Sequence, residues 1–228
     1  PSDSIGLADF MEGIYQEYFL TAGVTQEDKE KTKLYQQRKQ REEEKKNYSS
    51  LDDYLQSLKT KITIERLKEA DMDRAVQLVQ KTNQFNLTTK RYTQKELQEL
   101  KDKAGFDLWI AEVEDLFGNN GKTVLMIIEK GVDRVKIDSF IMSCRVMGRY
   151  IEDSLLHEIE MYYFRQGYKK LLAQYVATKK NKPVEGLYER IGYTLVEEND
   201  LEKDYEFSLV EREATGFSEV QWKEKEEI

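Results

Sequence analysis

The stretch Ile137-Asp138-Ser139-Phe140-Ile141-Met142-Ser143-Cys144-Arg145-Val146-Met147-Gly148-Arg149-Tyr150 decides the fold. Its first half is a mostly apolar strand, and it runs without a spacer into Ile151 to Phe164, where Ile151, Leu155, Ile159 and Tyr163 fall at successive i+4 positions as one apolar helical stripe. A strand therefore meets a helix N-terminus at Arg145 to Tyr150. The first amides of a helix have no intrahelical acceptors and lie at the positive end of its dipole, so such a junction is a natural seat for phosphate. Gly148 lets a ligand approach the backbone, and Arg145 and Arg149 add charge. The plainer alternative is an ordinary strand-to-helix turn that contains a glycine.

Around this stretch the pattern is that of a mixed sheet. Ile62 to Leu67 alternates as a strand, Asp71 opens a helix with Ala75, Val76, Leu78 and Val79, and Thr93 with Glu96 forms a capping box for a second helix. Asp107 to Val113, Thr123 to Glu129 and Val135 to Met142 read as three consecutive strands, the first two joined through a turn rich in Gly and Asn. Beyond the central helix, Lys169 to Ala177 reads as a strand, Asn181 to Ile191 as a helix, and Thr194 to Val196 with Tyr205 to Leu209 as a closing hairpin. This order predicts an α/β fold, a mixed sheet with helices on both faces. Upstream, residues 1 to 58 read as a helical tail or connector. Phe10, Met11, Ile14, Tyr15, Tyr18 and Phe19 sit at helical spacing, a highly charged helix follows from Thr25, and Leu51, Tyr54, Leu55 and Leu58 make a short amphipathic helix. The expected division is thus 1–58 and 59–228, and a surface extension of the second part is the competing reading of the first.

Composition narrows the function classes. With 228 residues, 35% of them charged, and a net charge of −8, the chain suits small-molecule or protein partners better than nucleic acid, which needs a basic face. One cysteine excludes an internal disulfide, one histidine and one cysteine give no soft-ligand metal cluster, and no run reaches the length of a membrane span or secretory core. A cytoplasmic protein without a metal is expected. Because the chain starts at Pro1 and not Met, it is expected to begin inside a longer polypeptide.

Arg145-x-x-Gly148 resembles the pyrophosphate loop, Q/R-x-x-G-x-G/A, of the GNAT acyltransferases, with Tyr150 where Gly or Ala is usual. Asn181-Lys182-Pro183-Val184-Glu185-Gly186-Leu187-Tyr188-Glu189-Arg190-Ile191-Gly192-Tyr193 is similar to that family's N-x-x-A-x-x-[LFY]-Y-x-x-x-G-F segment. The resemblance covers roughly residues 61 to 210 and implies a GNAT-like fold. It implies coenzyme A at Arg145, Val146, Met147, Gly148, Arg149 and Tyr150, Asn181 on the pantetheine arm, and Tyr188 as proton donor to the departing thiolate. A narrower likeness, to the C-terminal half of FkbH-like proteins, rests on Lys81 to Thr89, Asp115-x-Phe117-Gly118, Asp138 to Arg149 and Ala177 to Asn181. In those proteins a haloacid-dehalogenase (HAD) domain precedes a GNAT-like domain, and glyceryl units pass to an acyl carrier protein. The aspartate motif of the HAD domain is absent from this sequence.

This resemblance implies a GNAT-like acyltransferase domain of an FkbH-type protein, taking acyl-CoA or the phosphopantetheine of an acyl carrier protein. The alternative is a non-catalytic module that docks the carrier for a HAD-like domain in the same chain. Asn83, Gln84 and Asn86, in a loop of amide and hydroxyl side chains around Phe85, are candidates to read the acyl group or pantetheine; capping and loop stabilisation explain the same residues. Cys144 is expected to be a small buried residue rather than a nucleophile, and His157, off the apolar stripe, a surface residue. Asp138 and Glu112 are possible carboxylate bases, with a structural role the simpler assignment.

Overall fold

A computed structural model describes residues 26–214 and 216–223, and the aromatic set at Phe10 to Phe19 lies outside them. The chain divides into two compact units, 1–47 and 48–228. In the first, helix α1 (Gln26–Lys45) is strongly polar and carries i,i+4 pairs such as Arg38–Glu42 at 2.9 Å, and its buried positions are the polar Gln37 and Arg41.

The second unit begins with α2 (Leu51–Ser57), capped by the Ser50 hydroxyl, which accepts from the Asp53 amide at 3.0 Å. Tyr54, Leu55 and Leu58 are buried in a small cluster with Phe117, Tyr150 and Phe217, and the Leu116 amide donates to the Leu58 carbonyl at 3.0 Å. The expected boundary at 58/59 therefore cuts through this cluster, and the compact unit starts about one helix earlier.

The rest follows the expected order: β1 (Lys61–Arg66), α3 (Met72–Lys81), α4 (Gln94–Asp102), β2 (Phe106–Asp115), β3 (Gly118–Lys130), β4 (Arg134–Met142), α5 (Ile151–Arg165), β5 (Lys170–Val176), α6 (Leu187–Arg190), β6 (Thr194–Glu198) and β7 (Glu202–Ser208). Alternation along β2 sorts the core. Trp109, Ala111 and Val113 join the α5 side with Ile151, Leu155, Ile159 and Tyr163, whereas Leu108 and Ile110 join the other side with Met72, Ala75, Leu78, Val79 and Leu97 of α3 and α4. With helices over both faces, β3 is buried without alternation from Thr123 to Ile128.

A final strand, β8 (Glu219–Trp222), completes an eight-stranded sheet of order β6-β7-β5-β4-β3-β2-β1-β8 and pairs parallel to β1. The sequence reading missed it. To reach β1 from β7 the chain crosses the outer side of α5, where Arg212 binds the fully buried Glu160, the Ser218 amide donates to Ser154 Oγ, and Trp222 Nε1 donates to Glu158. This crossing explains why His157 is 5% exposed instead of lying on the surface. Burial, with Arg212 nearby, lowers its pKa.

Two further expectations are corrected. The helix expected from Asn181 to Ile191 is a 3₁₀ turn, Lys182–Val184, followed by the single turn α6, with the poor helix former Gly186 between them. Asp71 precedes α3 without capping it, because its carboxylate is bound to Lys122 at 2.6 Å. No helix among the described residues is long and apolar enough to cross a membrane, and none of their carboxylate, His and Cys side chains gather into a group that could hold a metal ion.

Candidate functional site

The sheet's one internal parallel pair is β4 with β5, and it is short. Arg134 to Lys136 pair with Lys170 to Leu172, after which the strands diverge. A register shift leaves Asp138 as the extra residue of a bulge opposite Ile127 and Ile128, which re-aims its side chain. Into the widening gap goes the loop that follows α3. The Leu87 amide donates to the Phe140 carbonyl at 3.3 Å, the Met142 amide to the Phe85 carbonyl at 3.0 Å, and the Val176 amide to the Leu87 carbonyl at 2.8 Å. Phe85 to Thr88 thus serve as a short inserted strand, bonded to β4 on one side and β5 on the other.

Side chains fix the insert. Thr88 Oγ1 donates to the Asp138 carbonyl at 2.9 Å, Tyr92 donates to Asp138 Oδ2 at 2.6 Å, and Lys90 pairs with Asp138 Oδ1. Burial and the Asp138 carboxylate push the Tyr92 hydroxyl upward, so it stays a donor. Asp138 is the anchor of this loop. Of the three residues expected to read an acyl group, only Asn86 is buried in the insert, with Nδ2 donating to the Lys90 carbonyl at 3.3 Å; Asn83 and Gln84 are exposed, and Asn83 accepts from Arg91 at 2.8 Å.

Asn181 is fully buried and its amide is saturated. Oδ1 accepts from the Thr178 amide at 2.8 Å, Thr178 Oγ1 at 2.9 Å and the Tyr175 hydroxyl at 3.1 Å, while Nδ2 donates to the carbonyls of Val176 at 2.9 Å and Asn86 at 3.0 Å. The amide hydrogen the resemblance assigns to a pantetheine arm is held by the chain's own Asn86. As the side chain stands it brackets loop 177–181 and contacts no open space.

The loop after β4 is mixed. Val146 is fully buried in the core and Met147 packs against it, so neither offers a side chain to a ligand. Arg149 is also withdrawn: Nη1 is 2.7 Å from Asp115 Oδ2 and Nη2 donates to the Arg145 carbonyl at 2.7 Å. Gly148 adopts φ +76°, with nothing within 4 Å of where a Cβ would stand, and Arg145 is exposed. Tyr150 takes φ +53°, and its ring turns into the α2 cluster against Phe217, under the Arg190 guanidinium at 4.9 Å. The departure at this position is accommodated by pointing the ring away from Gly148. Two carboxylates already occupy the first turn of α5: Arg190 is bidentate to Asp153 at 2.6 and 2.7 Å and lies 3.3 Å from Glu152. Burial pushes the Glu152 carboxyl up, and its Oε2 has no partner. Cys144, expected to be buried, is exposed on this loop.

Tyr188 is sealed beneath Tyr193 and Tyr205, with ring centroids at 5.1 and 5.3 Å. It is 0% exposed, burial drives its hydroxyl strongly upward, and that hydroxyl has no hydrogen-bond partner. An unpaired buried hydroxyl costs about 1–3 kcal/mol, so it is held there against a free-energy gradient. The sequence could not have shown that it lacks a partner.

No sequence-family model and no curated protein matches the chain. Solved structures do. The ribosomal-protein-S18-alanine N-acetyltransferase of Escherichia coli aligns at TM-score 0.53 and 12% identity, over 67% of this chain and 96% of that one. The PaiA N-acetyltransferase of Thermoplasma acidophilum, solved with coenzyme A, aligns at TM-score 0.53 and 11% identity, over 64% and 98%. The GNAT domain of S. lividans PAT aligns at TM-score 0.50 and 14% identity, over 64% and 89%. The chain has the GNAT acetyltransferase fold, an α/β fold built on a mixed sheet.

Proposed function

We propose that this chain carries the GNAT-like acyltransferase domain of an FkbH-type protein, and that it engages an acyl thioester borne on coenzyme A or on the phosphopantetheine of an acyl carrier protein. The observation that carries the reading is the Tyr188 hydroxyl. It is protonated and without a partner, which suits a donor whose acceptor comes with the substrate, and because the hydroxyl is sealed beneath Tyr193 and Tyr205 that role requires those rings to move aside. The open Gly148, the exposed Arg145 and the α5 N-terminus would hold the phosphates. Coenzyme A in the PaiA complex supports this cofactor class for the fold.

The arm fits less well than the phosphates. Phe85 to Thr88 fill the gap between β4 and β5, and Asn181 already donates to Asn86, so a pantetheine arm lying on Asn181 requires that insert to leave. This favours a second reading, in which the domain docks a carrier protein for a HAD-like domain without performing chemistry.

Tyr188→Phe separates the two. It keeps the ring packing and removes an unpaired group, so stability should hold or rise slightly. If the domain is an acyltransferase, turnover measured on the full-length protein with its own carrier should fall by roughly 10²-fold while carrier binding is retained. Product lost on deleting the domain but retained in Tyr188→Phe supports docking alone.

A further inference from the structure

We propose that the loop after β5 is a preorganised basic docking surface for the acidic face of a carrier protein, with Lys179, Lys180 and Lys182 as its contacts. The proposal rests on the carrier-protein reading above and names the surface through which that partner would approach.

All three lysines are exposed, and among the described residues none has an ion pair or a side-chain hydrogen bond. Exposed Lys81 and Lys169 likewise lack a partner, whereas several other cations of this unit are paired. Lys90 is held by Asp138, Arg149 by Asp115, Arg190 by Asp153, Lys203 by Glu185 and Glu198, and Arg212 by Glu160. What distinguishes the three is that they stand together, at positions 179, 180 and 182 of one loop, in a chain of net charge −8.

The loop that bears them is rigid for an identifiable reason. Asn181, buried at its centre, bonds to the amide and hydroxyl of Thr178 and to the carbonyl of Val176. Thr178 Oγ1 in turn accepts from the amides of Lys180 at 3.3 Å and Asn181 at 3.2 Å, and the Val184 amide closes the 3₁₀ turn on the Asn181 carbonyl at 3.0 Å. Backbone order is therefore already present before a partner arrives, which lowers the entropic cost of docking.

Position supports the same use. Because β4 and β5 are parallel, the loop 177–183 and the loop carrying exposed Arg145 leave the same end of the sheet, the end at which the two strands diverge. A carrier held there would present its arm to the site described above. On one side lies a cleft lined by Glu185, Glu198, Asp200, Glu202 and Lys203; Lys203 pairs with Glu185 and Glu198, and the remaining excess of carboxylates disfavours an acidic partner on that flank.

The test uses the 228-residue chain and a strongly acidic acyl carrier protein, apo and phosphopantetheinylated, titrated calorimetrically at low and at high salt, with coenzyme A titrated separately. Both carrier forms should bind, more weakly as salt rises. The triple variant Lys179→Gln/Lys180→Gln/Lys182→Gln, folded by its melt, should lose about tenfold or more in carrier affinity and most of the salt dependence, with coenzyme A binding unchanged. The charge-reversed variant, with Glu at the same three positions, should lose more. Unchanged carrier affinity in both folded variants overturns the proposal, as does equal binding of an unrelated protein of the same net charge. Coenzyme A binding without any carrier binding overturns this surface and spares the thioester reading; failure of wild type to bind either ligand sinks both.

Discussion

The loops that follow β4 and β5 leave the same end of the sheet, and both read in sequence as cofactor-binding, yet they are held by opposite means. Residues 143–150 are fixed by charge and packing: Arg149 to Asp115 in the interior, and the Tyr150 ring in the α2 cluster. Residues 177–183 are fixed by one uncharged amide, Asn181, with every donor and acceptor used internally. In the second loop the motif residue Asn181 is the one the fold consumes and three neighbouring lysines remain free. In the first the motif residues Arg145 and Gly148 stay open, and it is their neighbour Arg149 that the fold takes up.

The sharpest way to break this comparison is to remove the packing on one side only. A chain starting at Lys59 loses Tyr54, Leu55 and Leu58, and therefore the floor under Tyr150, while nothing in loop 177–183 is touched. Burying three such side chains is worth about 5 kcal/mol in total. Chemical denaturation should show that loss against a chain starting at Tyr48, and amide exchange should rise in 143–150 far more than in 177–183. Equal stability of the two fragments would restore the boundary to 58/59.

Next come the two anchors. Arg149→Ala removes the cation paired with the fully buried Asp115 side chain, and breaking such a pair costs about 3–5 kcal/mol. Asn181→Ala removes five neutral hydrogen bonds and leaves buried donors and acceptors unpaired, a loss of about 3 kcal/mol. Raising ionic strength should change neither cost much, the first because the pair is buried and the second because its groups are uncharged. If Asn181→Ala is neutral, its amide is free in solution and a ligand role returns.

How much of this was legible beforehand follows from what sequence periodicity records. The stripe Ile151, Leu155, Ile159, Tyr163 and the alternation of β2 and β4 are contacts within one element's own period, so the sheet order through β7 and the GNAT fold could be read. Strand β8 could not, because Glu219 to Trp222 is four residues long and pairs with residues 158 positions earlier. The site was only half legible. A motif marks where an asparagine or arginine stands, but whether its polar atoms face a ligand depends on long-range partners such as Asn86 for Asn181 and Asp115 for Arg149. His157 and Cys144 exchanged their expected environments for the same reason, the first being covered by the chain after β7 and the second lying on a turn that nothing overlies.

The smallest expected effect falls at Gly148, where the first loop is still open. Its φ of +76° disfavours any residue with a Cβ by about 1–2 kcal/mol, yet no atom lies within 4 Å of that Cβ, so Gly148→Ala should fold with only this modest loss. A turn that is merely a turn would register nothing more. If phosphates approach the backbone here, the added methyl stands between them and the α5 amides, and coenzyme A affinity should fall about tenfold, or 1.4 kcal/mol, beyond the stability change. Calorimetry on Gly148→Ala beside Asn181→Ala then ranks the loops directly. Affinity lost at Gly148 and retained at Asn181 would assign the ligand to the loop after β4 and leave the loop after β5 to the carrier. Affinity retained at both would place the thioester elsewhere on the sheet.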